Sequence, residues 1–307
     1  MIETVGLGRT FDGNVAVEDL NLSIKDGEAF AFLGPNGAGK TTTVRMLCCL
    51  IAATTGTAYI SGLDLRNEES RLRIREKIGL LPENPGLYES LGAHRNLDFY
   101  ARLYGVGAQE RERRIMALLK TVGLWDRREE AVGKFSKGMK QRVAIARALI
   151  HEPEYLFLDE PTAALDPEAA KNVREFLLEL KKEGRTIFLN THNLDEAQRI
   201  CDRMGVLRTR LLAVGTPDEL ASRFYGKAVS IQMRELRPEH LSAVRSLPNV
   251  LDARQENSNL VVQVADPGRD NPAIVSKLVS MGAEVRYVEE VKRSLEDVYL
   301  RLMEGGG

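Results

Sequence analysis

Three unbroken apolar runs punctuate the chain: AFAFL (Ala29–Leu33), YLFLD (Tyr155–Asp159) and TIFLN (Thr186–Asn190). A strand with one wet face alternates apolar and polar residues. A continuous run belongs to a strand covered on both faces, and hence to a parallel sheet with crossover helices. Amphipathic segments of helical spacing lie between the runs. Residues 1–225 are therefore expected to form an α/β domain with a mainly parallel sheet. Residues 84–150 interrupt the alternation: RNLDFYARLYG, ERERRIMALLKTVGL and the segment after FSKGMKQR carry helical patterns without a convincing strand. They predict a helical subdomain.

The texture changes at 226. AVSIQMR alternates as a half-buried strand, PEHLSAVRSL is helical, and VLDARQE and NLVVQVAD read as a strand pair. NPAIVSKLVSMG, AEVRYVEE and SLEDVYLRLM follow as helix, strand and helix. A β-α-β-β-α-β order predicts a small α+β domain over 226–304, with the glycines at 305–307 as a tail. Its His240 starts a helix and is expected to be solvated. Nothing in this domain forms a catalytic constellation.

Composition adds exclusions. Of 307 residues, 43% are apolar and 28% charged, enough for a substantial core. The balance of 43 basic and 44 acidic residues gives no global reason to expect nucleic acid as a partner. Cys48, Cys49 and Cys201 fit a reducing compartment, and the adjacent pair reads as core packing rather than a metal site. The N-terminus lacks a basic-then-apolar leader pattern. The longest apolar stretch, MLCCLIAA, is far short of the ~20 residues a bilayer needs. Any membrane role is expected to come through a partner.

The chemistry concentrates after two of the apolar runs. GPNGAGKT, Gly34 to Thr41, matches G-x-x-x-x-G-K-[ST] between a predicted strand and a predicted helix. Glycines let backbone N–H groups converge on phosphate oxygens, and the helix N-terminus adds positive potential. Candidate nucleotide contacts are Gly34, Asn36, Gly37, Ala38, Gly39, Lys40, Thr41 and Thr42. Lys40 is expected to reach the β- and γ-phosphates and the Thr41 hydroxyl to bind Mg²⁺. YLFLDE delivers Asp159 and Glu160 at a strand end, where doubly wound sheets place ligands. Asp159 is expected to hold Mg²⁺ through water and Glu160 to polarise the attacking water. In isolation such a pair is as often two solvated loop carboxylates.

With both motifs in place, residues 1–225 resemble the ATP-binding subunits of ABC transporters. FSKGMKQR (Phe135–Arg142) stands where that family carries its LSGGQ signature, although taken alone it reads as Ser136 capping a basic helix. The resemblance implies that Ser136 and Gly138 contact ATP held by a second copy. It also implies that Phe11 stacks on adenine and that Asp166, in AALD, makes cross-subunit contact. Glu83 falls at the Q-loop position, where the family has glutamine, and is implied as a catalytic and metal-side residue. His192, in NTHNLDEA, is implied as the switch histidine on the γ-phosphate. Ala163 lacks the usual D-loop serine hydroxyl. In LGAHRNL, Gly92 replaces a capping threonine and Arg95 a carboxylate.

NLDFYARLYG, LPENPGLY and SLEDVYLRLM look most like the ABC-2 exporter branch that includes daunorubicin-resistance proteins. The implied activity is ATP hydrolysis by a homodimer, powering export through a polytopic ABC-2-type permease. The implied location is cytoplasmic, peripheral on the inner membrane face. The alternative is a soluble ABC-type ATPase whose C-terminal module binds a regulatory ligand. An ABC ATPase of DNA repair or chromosome structure would need a long heptad insertion, and a two-half translation factor would need a second P-loop; neither is present in the sequence.

Overall fold

The computed structural model describes residues 1–84, 86–163, 165–291 and 295–304. The tail at 305–307, Ala164 of AALD and Ser294 of SLEDVYLRLM lie outside the described residues. The chain divides into two compact units, Met1–Val214 and Gly215–Gly307.

The first unit begins β1 (Ile2–Phe11), β2 (Asn14–Ile24), β3 (Ala29–Leu33), α1 (Lys40–Leu47), β4 (Thr55–Ile60), β5 (Leu63–Asp64), α2 (Glu68–Lys77) and β6 (Ile78–Leu81). It continues α3 (Ala93–Leu103), α4 (Ala108–Thr121), α5 (Lys137–Leu149), β7 (Tyr155–Asp159), α6 (Pro167–Lys182), β8 (Thr186–Asn190), α7 (Leu194–Ile200), β9 (Arg203–Arg208) and β10 (Arg210–Gly215). Six strands form one sheet in the order β10-β9-β3-β8-β7-β6. Every pair from β9 to β6 is parallel. β3, β7 and β8 are buried along their whole length, as their unbroken apolar runs require. Phe30, Phe32, Phe157 and Phe188 interlock at the centre, with ring centroids 5.0–5.8 Å apart.

A second sheet, β2-β1-β4-β5, is antiparallel throughout. The apolar runs did not announce it, because its strands are half-buried and bulged. Register shifts interrupt the β1–β2 ladder at three places, blurring the alternation that a regular strand pair would show.

The helical subdomain packs its own core, including Leu97, Ala101, Ile115, Leu119, Val143 and Ile150. Its one β feature among the described residues is an isolated bridge between Gly92 and Ala131. That bridge explains the missing threonine cap. A Cβ at Gly92 would lie 2.6 Å from Arg128 O, so only glycine fits. Asn96, fully buried, takes over the pinning. Its Nδ2 donates to Tyr88 O, Leu91 O and Gly92 O at 3.1, 3.3 and 3.0 Å. Its Oδ1 accepts from Tyr88 N at 2.9 Å.

The second unit holds α8 (Pro217–Tyr225), β11 (Lys227–Met233), α9 (Pro238–Arg245), β12 (Val250–Glu256), β13 (Asn259–Val264), α10 (Pro267–Ser280), β14 (Val285–Glu290) and α11 (Leu295–Glu304). The unit starts earlier than the expected boundary between 225 and 226. α8, opened by a Thr216–Glu219 capping box, packs on α11 and so belongs with the second core. The sheet order is β12-β13-β11-β14, with every pair antiparallel. Val229, Ile231, Leu260 and Val262 meet Val244, Ile274 and Leu278 in its core. His240 is not solvated but 4% exposed; its Nδ1 accepts from Arg237 N at 3.3 Å, closing the first turn of α9. Among the described residues no helix is long and apolar enough to cross a membrane.

Asn96→Ala strips four polar groups of a buried partner and is expected to cost on the order of 2–4 kcal/mol. Urea unfolding followed by Trp125 fluorescence measures this; a cost below about 1 kcal/mol would deny Asn96 the pinning role.

Candidate functional site

Parallel register assembles the site. Neighbouring strands β3, β8, β7 and β6 end on the same edge of the sheet. Phe32 of β3 is opposite Asn190 of β8, Asn190 is opposite Asp159 of β7, and Leu158 is opposite Leu81 of β6. Each strand therefore releases its loop at one place. The released loops carry Gly34–Gly39, Thr191–His192, Glu160 and Glu83.

These loops line a cleft of about 330 Å³ that includes Asn36, Gly37, Ala38, Gly39, Lys40, Thr41, Thr42, Glu83, Asp159, Glu160 and His192. The loop after β3 closes because of Gly39. Its φ is 98°, and a Cβ there would meet Ala16 O at 2.3 Å. α1 then starts at Lys40, with backbone N–H groups opening onto the cleft. Lys40 is 7% exposed and its Nζ donates to Gly34 O at 2.7 Å and Pro35 O at 3.1 Å. Burial pushes its ammonium below the ordinary 10.5, opposed by the charges of Glu160 and Asp159.

Asp159 is 4% exposed and takes hydrogen bonds from Thr41 and from Asn190 Nδ2. Burial is the largest influence on its carboxyl and raises it above 3.8; those two hydrogen bonds oppose the rise, and Glu160 and Glu83 add to it. Thr41 and the carboxylates are hard oxygen donors. Among the described residues no trio of His, Cys, Asp or Glu closes around a metal ion. One hydroxyl with carboxylates at an open cleft is the set Mg²⁺ uses when phosphates complete its shell, so the residues present fit that ion.

Glu160 follows β7 with a left-handed φ of 51°, held by its N–H donating to Asn190 O at 2.8 Å. Such backbone in a non-glycine residue is maintained only by its surroundings. Its Oε1 accepts from His192 N at 3.1 Å and lies 2.8 Å from His192 Nδ1. A carboxylate oxygen can only accept here, which puts the imidazole proton on Nδ1. The loop bearing His192 is fixed from behind. Thr191 Oγ1 donates to buried Glu196 Oε2 at 2.8 Å, and Asn193 N donates to Thr191 Oγ1 at 3.0 Å.

Five expected residues are not among those lining the cleft. Gly34 opens the same loop, and its carbonyl accepts from Lys40 Nζ. Phe11 ends β1, 40% exposed, with the Arg9 guanidinium 4.5 Å from its ring centroid. Ser136 caps α5, its Oγ accepting from Met139 N at 3.3 Å. Gly138 is buried in the first turn of the same helix. Asp166 caps α6, accepting from Ala169 N at 2.9 Å, so its carboxylate already serves its own chain. Asn190 was missed by the motif reading, yet it lines the cleft between Asp159 and Thr41. Its signal was visible: like Asp159, it is a polar residue ending a wholly apolar strand.

The raised carboxyl of Asp159 has a stability consequence. An acid whose folded value is raised stabilises the fold only while protonated, so that contribution is lost as pH rises from 3.8 through the folded value. Asp159→Asn is therefore expected to raise the Tm of the nucleotide-free protein at pH 7.5 and to lose that advantage as pH falls toward 3.8. Scanning calorimetry across that range tests it; a lower Tm at pH 7.5 would contradict the assignment.

The sequence profile described as ABC transporter matches residues 17–163, and that of the DrrA1-3-like C-terminal domain matches residues 215–303. The bacitracin transport ATP-binding protein BcrA of Bacillus licheniformis is 34% identical over 100% of this chain and 98% of its own length. The daunorubicin resistance ATP-binding protein DrrA3 of Streptomyces coeruleorubidus is 35% identical over 97% of this chain and 94% of its own. Among solved structures, an ATP-binding subunit of an ABC transporter aligns with TM-score 0.68 at 35% identity, covering 74% of this chain and 94% of that one. A dimeric ATP-binding cassette in a post-hydrolysis state with ADP and Pi aligns with TM-score 0.65 at 28% identity, covering 70% and 98%. With the phosphate-binding loop, Asp159 and Glu160 converging on one cleft, the chain belongs to the ATP-binding subunits of the ABC transporters and is an ATPase.

Proposed function

We propose that two copies of this chain sandwich ATP and use its hydrolysis to drive export through a separate membrane-spanning subunit. The observation that carries this reading is the division of the nucleotide-binding residues. The Lys40 loop, Asp159, Glu160 and His192 share a cleft, while Ser136 and Gly138, at the start of α5, are not among the residues that line it. Within one chain the cleft lacks the anion site of the α5 N-terminus. A second copy supplies it, and the phosphate charge makes the closed pair favourable only while ATP is present.

In this reading the loop N–H groups from Asn36 to Thr42 and the Lys40 ammonium hold the phosphates. Lys40 exchanges Gly34 O and Pro35 O for them. Phe11 stacks on adenine. Thr41 and Asp159, with Glu83 beside them, hold Mg²⁺, which supplies charge neutralisation on the phosphates. Glu160, oriented by His192, accepts a proton from the attacking water. His192 is 68% exposed at its side chain, and in this reading its ring also meets the γ-phosphate. Asp166 lies at the face where the second copy docks. Loss of the γ-phosphate removes the bridge and the pair reopens.

The membrane partner is supported by an aromatic group on the helical subdomain. Tyr88, Phe99 and Tyr100 pack edge to face or tilted, with centroids 5.0–6.3 Å apart. Tyr88 and Phe99 remain 45% and 39% exposed, and Leu103 nearby is 67% exposed. Exposed aromatics of this kind mark a docking surface. The resistance and transport names of the relatives support export; in this reading the permease is of the ABC-2 type and the chain works at the cytoplasmic face of the membrane.

Glu160→Gln is expected to bind ATP, to slow turnover by roughly 10²–10⁴-fold, and to accumulate a closed dimer visible by light scattering. Normal turnover by that variant, or a concentration-independent rate from a lone protomer, would sink the shared-site mechanism. Tyr88→Ala with Phe99→Ala is expected to retain ATP binding while losing co-purification with its polytopic membrane subunit; undiminished co-purification would place the docking surface elsewhere.

A further inference from the structure

Asn190 carries more of the site than its absence from the motifs suggests. It is the last residue of β8, a central strand, and only 1% exposed. Its register partners are Asp159 on one side and Phe32 on the other. Its Nδ2 donates to Asp159 Oδ1 and lies 3.4 Å from Thr41 Oγ1. The amide orientation is set by chemistry: turned over, its carbonyl would face a carboxylate oxygen, two acceptors without a proton between them. Thr41, Asp159 and Asn190 thus form a triangle in which Asn190 is the central donor.

The other end of the same amide lies at the cleft. Asn190 Oδ1 is buried and has no hydrogen-bond partner in the protein. A buried acceptor without a donor is costly, and a water or a bound ligand is one means of satisfying it. Asn190 lines the nucleotide cleft, so that partner can arrive with the ligand. Mg²⁺ gives up its hydration waters reluctantly, and water therefore enters the cleft with the nucleotide.

We propose that Asn190 is a positioning residue for the metal-dependent part of ATP binding. Its amide nitrogen ties Asp159 to Thr41, and its carbonyl oxygen accepts a hydrogen bond from water that enters with ATP and its cation. The inference rests on the reading above that Thr41 and Asp159 hold the cation. Asn190 does no chemistry on the phosphates. It keeps two oxygen donors at a fixed separation before the cation arrives, and it spares them the reorganisation they would otherwise need on binding.

The test measures the Kd of the full chain for a non-hydrolysable ATP analogue, once with Mg²⁺ and once with EDTA, by titration calorimetry. The native protein, Asn190→Leu and Asn190→Ala are compared. Leucine keeps the volume and removes both polar ends; alanine decides the matter if leucine prevents folding. The expected result is that the gain in affinity on adding Mg²⁺ shrinks by roughly ten- to a hundredfold in the variants, the range for groups that orient metal ligands. The Kd in EDTA is expected to stay near the native value. An unchanged Mg²⁺ increment overturns the proposal. So does an equal loss with and without Mg²⁺, which would make Asn190 part of the cleft wall only. A native protein without any Mg²⁺ increment overturns the cation site itself, a result distinguishable from the failure of Asn190 alone.

Discussion

The site depends on one constraint, the parallel register of four adjacent strands. In a parallel sheet successive strands point the same way, so their carboxyl ends share an edge. Here β3, β8, β7 and β6 contribute the phosphate-binding loop, Asn190 with His192, Asp159 with Glu160, and Glu83. A slip of one residue in the β7–β8 pairing would turn Asp159 and Asn190 to opposite faces of the sheet and break the triangle with Thr41. At this register Phe30, Phe32, Phe157 and Phe188 pack against one another across the three strands, so a slip would also cost their contacts.

Charge and burial work against each other at the same edge. Three carboxylates, Glu83, Asp159 and Glu160, share a cleft with one ammonium, Lys40. Lys40 is held by two carbonyl oxygens and Glu160 by His192. Both groups are thus partnered within the chain, whereas Asn190 Oδ1 beside them has no hydrogen-bond partner and Glu160 has left-handed backbone. Such local deficits are where a folded chain stores its readiness to bind.

Departures from the family pattern are local trades rather than losses. Gly92 gives up a threonine cap because Arg128 O approaches too closely for any side chain, and Asn96 ties down the same turn. His240, a lone histidine in the sequence, closes a helix end inside the second unit.

By itself the sequence determined the layered α/β class, the three central strands to the residue, the helical subdomain and the β-α-β-β-α-β order. It did so because burial on both faces and helical amphipathicity leave direct traces in residue type. The phosphate loop and the Asp159–Glu160 pair were legible for a related reason. Backbone approach demands glycine at fixed spacing, and a carboxylate ending an apolar strand sits where a parallel sheet opens its ligand edge. Only the tertiary structure decided what depends on contacts between distant segments. The bulged antiparallel sheet, the placement of α8 with the second unit, the burial of His240 and the capping use of Asp166 are of this kind. So is the role of Asn190, an ordinary residue in the chain whose meaning comes from Asp159 and Thr41, both far from it in sequence and brought against it by strand register.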